Sequence, residues 1–228
     1  MPGTSVSVLL DLDGTLIDSN YQHALAWREA LAGAGFDVPV WKIHRRIGMS
    51  GGLLANELTR QLGVALSDEQ RTQLINAHAA SFSRRVDEVR PLPGAVALLH
   101  ALTELDAAWA IATSGSPADA SPGLTMLGIS ADASVVTSQP GEPAKPDPAL
   151  FLRAASQLTP SPTTFVVGDS VWDMLAARRA GFLGIGVLTG GSSAGELIEA
   201  GAYRIFDDAE QLRLGLDLLG LHSSLTAP

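Results

Sequence analysis

Apolar residues along this chain follow two rhythms. Short unbroken runs rich in β-branched side chains occur at Val6–Leu10, Ala108–Ala112, Val135–Val136, Thr163–Val167, Leu183–Val187 and Tyr203–Phe206, and each predicts a buried strand. Between them, Ala95–Leu105, Pro148–Leu158, Val171–Ala180 and Ala209–Leu219 repeat apolar residues at three- and four-residue steps, which predicts helices. Gly181 suits a helix C-cap, and Ser121-Pro122 reads as an N-cap followed by proline at the first helical position. Strands alternating with helices imply a parallel sheet covered on both faces.

One stretch breaks the alternation. From Ser19 to Val89 no strand pattern appears; helical patterns run through Tyr21–Ala32, Leu53–Leu62 and Ser67–Val86, with turns at Gly33-Ala34-Gly35 and Gly48–Gly52. Ser67-Asp68-Glu69-Gln70 has the form of a capping box, and Asp18 is expected to cap the first of these helices. Pro91-Leu92-Pro93-Gly94 punctuates the return to the sheet. The predicted class is therefore α/β: a Rossmann-like, doubly wound parallel sheet core (residues 1–18 and 90–228) with an α-helical cap (19–89) inserted after the first strand. Residues 223–228 are expected to form a frayed tail.

Composition narrows the picture. Apolar residues make up 46% of the chain and charged residues 17%, a globular balance. The net charge of -9 removes the sequence-independent attraction behind nucleic-acid binding. There is no cysteine, so disulfides, thiolate metal sites and cysteine nucleophiles are excluded. No apolar run approaches the roughly 20 residues that span a bilayer, and no basic region precedes an apolar stretch at the N-terminus. The expectation is a cytoplasmic protein, a monomer or weak homodimer, with no nucleic-acid or membrane partner.

In open parallel sheets, ligands bind beyond the carboxyl ends of the strands. Those positions hold Asp11 and Asp13 after the first strand, Thr113-Ser114-Gly115 after the second, and Gly168-Asp169-Ser170 with Asp173 after the fourth; Lys145 lies in Ala144-Lys145-Pro146-Asp147-Pro148, opening a helix. Singly, an aspartate at a strand end serves as a cap or turn residue. Jointly, four carboxylates, a lysine and a hydroxyl converge on one crevice and need a cation. Oxygen-only donors suit Mg²⁺, and Asp169 and Asp173 lie four residues apart at a helix start, where both can face one ion.

Asp11-Leu12-Asp13-Gly14-Thr15-Leu16 resembles the first motif of the haloacid dehalogenase-like hydrolases. Thr113, Lys145 and Gly168-Asp169-Ser170-Val171-Trp172-Asp173 resemble the second, third and fourth in order, so the resemblance spans nearly the whole chain. It implies Asp11 as nucleophile and Asp13 as general acid and base, the latter also binding Mg²⁺ through its main-chain carbonyl. It further implies that Thr113 binds a phosphate oxygen, assisted by Ser114 or a nearby backbone N–H such as that of Gly115. Lys145 would neutralise phosphate and nucleophile, Asp169 would ligate Mg²⁺, and Asp173 would hold the metal or its waters. The resemblance implies a phosphoric monoester hydrolase. The family's dehalogenases lack an acid two residues after the nucleophile, because a halide leaves without a proton; Asp13 therefore argues against dehalogenation.

The cap is expected to select the substrate, a small phosphorylated metabolite such as a sugar phosphate or phosphoglycolate. His23 and Trp27, one turn apart, are spaced after Asp11 as in the β-phosphoglucomutases and related sugar-phosphate phosphatases, which places His23 near the general acid. Lys42, His44, Arg45 and Arg46 form a basic cluster, and Arg45 and Arg46 are candidates to grip a second anionic group of the substrate. His78 is expected to be structural or exposed. The mutases carry an arginine just inside the glycine loop, where this chain has Met49-Ser50-Gly51-Gly52, and this favours hydrolysis over the alternative of a phosphomutase. A non-catalytic binding module on the same fold is disfavoured because every catalytic position is filled. Phosphonoacetaldehyde hydrolases need a Schiff-base lysine; Lys42, the only lysine of the insert, lacks that family's surroundings.

Overall fold

The computed structural model describes residues 6–129, 133–139 and 141–222; the expected tail lies outside the described residues. Six parallel strands form one sheet in the order β3-β2-β1-β4-β5-β6, with β1 Val6–Leu10, β2 Ala108–Thr113, β3 Val135–Thr137, β4 Thr163–Gly168, β5 Leu183–Val187 and β6 Ala202–Phe206. The chain winds outward from β1 to β3 and then crosses to β4 on the other side. The order therefore reverses beside β1, where such sheets leave a crevice. Register carries the chemistry to one level: Leu10 pairs with Ile111 and Val167, so the ends of β1, β2 and β4 open together.

Strand side chains alternate between faces. Leu9, Ala110 and Val166 pack against Phe151 and Ala154 of α7 (Ala149–Ser156) and Ala176 and Ala177 of α8 (Val171–Ala180). Val8, Leu10, Ile111 and Val167 meet Leu98 and Leu102 of α5 (Ala95–Glu104) and Leu212 of α10 (Ala209–Leu214) on the opposite face. Phe151 is completely buried, and truncating such a side chain costs about 3–5 kcal/mol.

The stretch between β1 and β2 holds α1 (Asn20–Gly33), α2 (Val40–His44), α3 (Gly51–Gln61) and α4 (Asp68–Ser83), followed by a short 3₁₀ turn at Val86–Glu88. These helices bury a separate cluster including Trp27, Leu31, Ile43, Leu54, Leu58 and Leu74. Two backbone hydrogen bonds clamp the joins to the sheet: Asp18 N to Arg90 O and Leu92 N to Leu16 O, each 2.9 Å. The Ser67–Gln70 capping box forms in both directions.

Other boundaries differ from expectation. Ser19, not Asp18, is the residue before α1, and its hydroxyl makes no cap bond and donates to Asp13. The helix expected to open at Ser121-Pro122 opens one Ser-Pro pair earlier, as α6 (Pro117–Met126), with Ser116 accepting from Asp119 N. Both dipeptides carry the same start signal, and Pro122 lies inside the helix. Gly215 stops α10, leaving a 3₁₀ turn at Leu216–Leu219. The short α2 and α9 (Ala194–Ala200) were not legible as periodic patterns; a Ser193–Glu196 capping box starts α9. Among the described residues, no helix is long and apolar enough to cross a membrane.

Candidate active site

A cleft of about 760 Å³ lies between the strand ends and the inserted helices. Its floor carries Asp11, Asp13, Ser114, Gly115 and Lys145, and its cap wall carries His23, Trp27, Asn56, Arg71 and His78.

Lys145 is the hub of the floor. Its Nζ lies 2.7 Å from Asp11 Oδ1 and 2.7 Å from Asp173 Oδ1, and all three side chains are essentially buried. Burial works against the lysine's charge, but the two carboxylates more than reverse this and raise its pKa. Burial pushes Asp11 well above the ordinary carboxylate range; Lys145 pulls it back, while Asp173 and Asp169 push it further up. Asp173 is also held by Ser170, whose backbone N–H and hydroxyl donate to Oδ2 at 3.1 and 2.5 Å.

Asp169 receives one hydrogen bond on each oxygen: Thr15 Oγ1 donates to Oδ1 and Asn20 Nδ2 to Oδ2, both at 2.9 Å. Burial, followed by the charge of Asp173, nevertheless pushes its pKa up to about 7. The backbone closes tightly here. Gly14 has φ +75°, and a Cβ on it would stand 2.3 Å from Asn20 Nδ2; a Cβ on Gly190 would stand 1.6 Å from Asp169 Oδ2. Only glycine fits either position.

Oxygens of Asp11, Asp169 and Asp173 lie within 4.8 Å of one another, all buried. One lysine against three buried carboxylates leaves negative charge uncompensated, and the raised pKa values of Asp11 and Asp169, set first by burial and then by their carboxylate neighbours, register that crowding. The donor set consists of oxygens alone, and it fits a hard divalent cation.

The Asp13 carboxylate faces away from this group. Oδ1 accepts from Ser19 Oγ (2.6 Å) and from His23 Nε2 (3.2 Å), and Oδ2 from Thr113 Oγ1 (3.4 Å). Burial raises its pKa, but the charge and hydrogen bond of His23 and the Ser19 hydroxyl outweigh burial, so Asp13 titrates low. Thr113 Oγ1 accepts from Gly115 N at 3.0 Å, and Ser114 Oγ donates to Gly48 O of the insert at 3.0 Å.

On the cap wall His23 Nδ1 lies 3.1 Å from His78 Nε2. His78 stacks on Trp27 (centroids 4.3 Å apart) and His23 on Phe82 (3.8 Å). Burial, then the neighbouring His23 charge, lowers the His78 pKa to about 3, so the ring is neutral. It lines the cleft and is not an ordinary surface histidine.

The structure thus brings Asp11, Asp13, His23, Thr113, Ser114, Gly115, Lys145, Asp169 and Asp173 to one centre. Arg45 and Arg46 lie elsewhere. Arg45 pairs with Glu196 at 2.5 Å, and Arg46 donates to Lys42 O with Glu57 3.9 Å away; neither lines the cleft. Sequence reasoning missed Ser19, Asn20, Asn56, Arg71 and His78. The first two adjoin the Asp18 junction and were hidden among helix-start residues. Asn56 comes from α3, and Arg71 and His78 from α4, and no motif marks them as lining a site.

Residues 7–181 match the family model described as haloacid dehalogenase-like hydrolase. The chain belongs to that family. A hydrolase from Pseudomonas syringae, known from its crystal structure, is 43% identical and superposes with a TM-score of 0.90 over 93% of this chain and 98% of its own. Hexitol phosphatase A of Escherichia coli (strain K12) is 31% identical over 186 residues, 76% of this chain and 78% of that protein. Phosphoglycolate phosphatase of Xylella fastidiosa (strain Temecula1 / ATCC 700964) is 32% identical over 182 residues, 77% of this chain and 76% of that protein. The present protein is an enzyme of this hydrolase family, a phosphoric monoester hydrolase.

Proposed function

We propose that this hydrolase is a magnesium-dependent phosphatase of a small phosphorylated metabolite, a sugar phosphate or a phosphoglycolate-like compound, acting through an aspartyl-phosphate on Asp11. The observation that carries the reading is the division of labour between two aspartates two residues apart. Asp11 is paired with Lys145 on the cation side of the floor, while Asp13 is held by Ser19, His23 and Thr113 on the cap side. Asp11 and Asp169 would hold Mg²⁺ directly, with the Asp13 main-chain carbonyl, and Asp173 would anchor Lys145 and the metal's waters. When bound, the ion supplies charge neutralisation that lets a carboxylate approach phosphate.

An Asp11 oxygen attacks phosphorus and the bond to the leaving oxygen breaks. Asp13 gives that oxygen its proton. It rests ionised, and the dianion arriving beside it favours protonation. In the second half, Asp13 takes a proton from water, the water oxygen attacks phosphorus, and Asp11 leaves as carboxylate. Lys145 balances charge on Asp11 throughout, and Thr113 donates to a phosphate oxygen.

The cap region 19–89 would close over the substrate and exclude water, and its wall would select the leaving group. Arg71 supplies a cation there, held by Asn56 Oδ1 at 3.3 Å and Asp68 at 2.5 Å. Hydrolysis is favoured over mutase action because Met49–Gly52 places no arginine in the glycine loop. The enzyme would act in the cytoplasm on its metabolite alone, without nucleic-acid or membrane partners, as a monomer or weak homodimer. The test is phosphate release from a panel of phosphorylated metabolites, with Mg²⁺ and with EDTA, for wild type and Asp11→Asn. Magnesium-dependent release lost in the variant supports the reading; release unaffected by EDTA or by the substitution contradicts it.

A further inference from the structure

Asn20 is the first residue of α1, the opening helix of the insert, yet its side chain reaches the floor and is only 3% exposed. Its Nδ2 stands 2.9 Å from Asp169 Oδ2 and 3.4 Å from Gly190 O. Both partners are acceptors, so the network fixes the amide orientation: nitrogen toward Asp169, oxygen away. Among the described residues, that oxygen, Oδ1, is buried with no hydrogen-bond partner. A buried acceptor left empty is costly and calls for a donor.

We infer that Asn20 is a positioning residue of the metal centre: its amide nitrogen fixes the Asp169 carboxylate, and its amide oxygen accepts from a water of the metal's hydration shell. This inference rests on the proposed reading that Asp11 and Asp169 hold Mg²⁺. Magnesium keeps several of its waters when protein-bound, so acceptors in the outer shell contribute to affinity. Thr15 Oγ1 occupies the other Asp169 oxygen, and together the two donors leave the carboxylate one orientation. The surrounding fit is close: neither Gly14 nor Gly190 can carry a Cβ without striking Asn20 or Asp169. Asn20 is also a direct link from the insert to a metal ligand, so the start of α1 and the metal site are held in one arrangement.

The experiment is calorimetric titration of Mg²⁺ into metal-free wild type, Asn20→Ala and Thr15→Val, without substrate, alongside the metal-free melting temperature of each. The expected result is a Kd raised about 10- to 100-fold in Asn20→Ala, with turnover recovering toward wild type as Mg²⁺ is raised. Thr15→Val keeps the side-chain shape and should weaken binding in the same direction. If Asn20→Ala fails to fold, Asn20→Ser takes its place, since its hydroxyl cannot span both partners. A folded Asn20 variant with wild-type Mg²⁺ affinity overturns the inference while leaving the metal site standing. Absence of Mg²⁺ binding by wild type overturns the metal reading and this inference with it.

Discussion

The floor and the cap wall of the cleft solve opposite electrostatic problems. The floor concentrates like charge: Asp11, Asp169 and Asp173 are buried around one lysine, and burial drives Asp11 and Asp169 to hold protons more tightly. The wall does the reverse with His78, which burial and His23 keep uncharged down to about pH 3. Asp13 touches both, with His23 and Ser19 on one side and Thr113 on the other. The difference teaches where each function resides. A crowded anionic floor invites a cation and would handle phosphate; the wall, with neutral His78, its stacked rings and the Arg71 guanidinium, would meet a leaving group without competing for the metal.

The comparison can be broken most forcefully at its shared residue. Asp13→Asn should lower turnover of alkyl phosphates by about 10²–10⁴-fold, and least for an aryl phosphate whose leaving group needs no proton; steady-state kinetics on the two substrate types checks this. Lys145→Ala strips the floor of its cation and leaves Asp11 and Asp173 facing each other. Breaking a buried pair this way costs about 3–5 kcal/mol, read as a lower denaturation midpoint, partly recovered by added Mg²⁺.

Protons sharpen the contrast. On the proposed reading Mg²⁺ would displace the proton that Asp169 holds below about pH 7, so affinity should fall roughly tenfold per pH unit beneath that value. In the metal-free protein the two regions give stability opposite slopes. The raised Asp169 contributes stability that is present at low pH and lost as pH rises toward 7. The lowered His78 contributes stability that is present above its unfolded value near 6.5 and lost as pH falls toward 3. His78→Phe removes the second slope, up to roughly 1.4 kcal/mol per pH unit below 6.5, and urea denaturation at pH 5 and 7 measures it. The smallest effect belongs to Arg45→Ala: a half-exposed pair outside the cleft should change stability by under about 1 kcal/mol and leave KM unchanged.

The floor was legible in the sequence because a parallel sheet brings short, contiguous motifs to one level. Asp11, Thr113 and Asp169 each follow directly from the register of β1, β2 and β4. The wall was not. His23 and His78 are 55 residues apart and meet only because α1 packs on α4, so no local spacing marks them as a pair. The basic run around Arg45 misled for the same reason: charge shows in sequence, but the short α2 turns it toward Glu196. Asn20 was hidden because a polar residue at a helix start ordinarily serves the backbone, whereas here the tight turn at Gly14 brings it against Asp169.

The most direct test of the central claim is a rapid acid quench of a single turnover with ³²P-labelled substrate, followed by digestion and identification of the labelled peptide. The account predicts transient label on the peptide containing Asp11, absent in Asp11→Asn. Full phosphate release with no labelled protein at any time, or label on a peptide without Asp11, would contradict it.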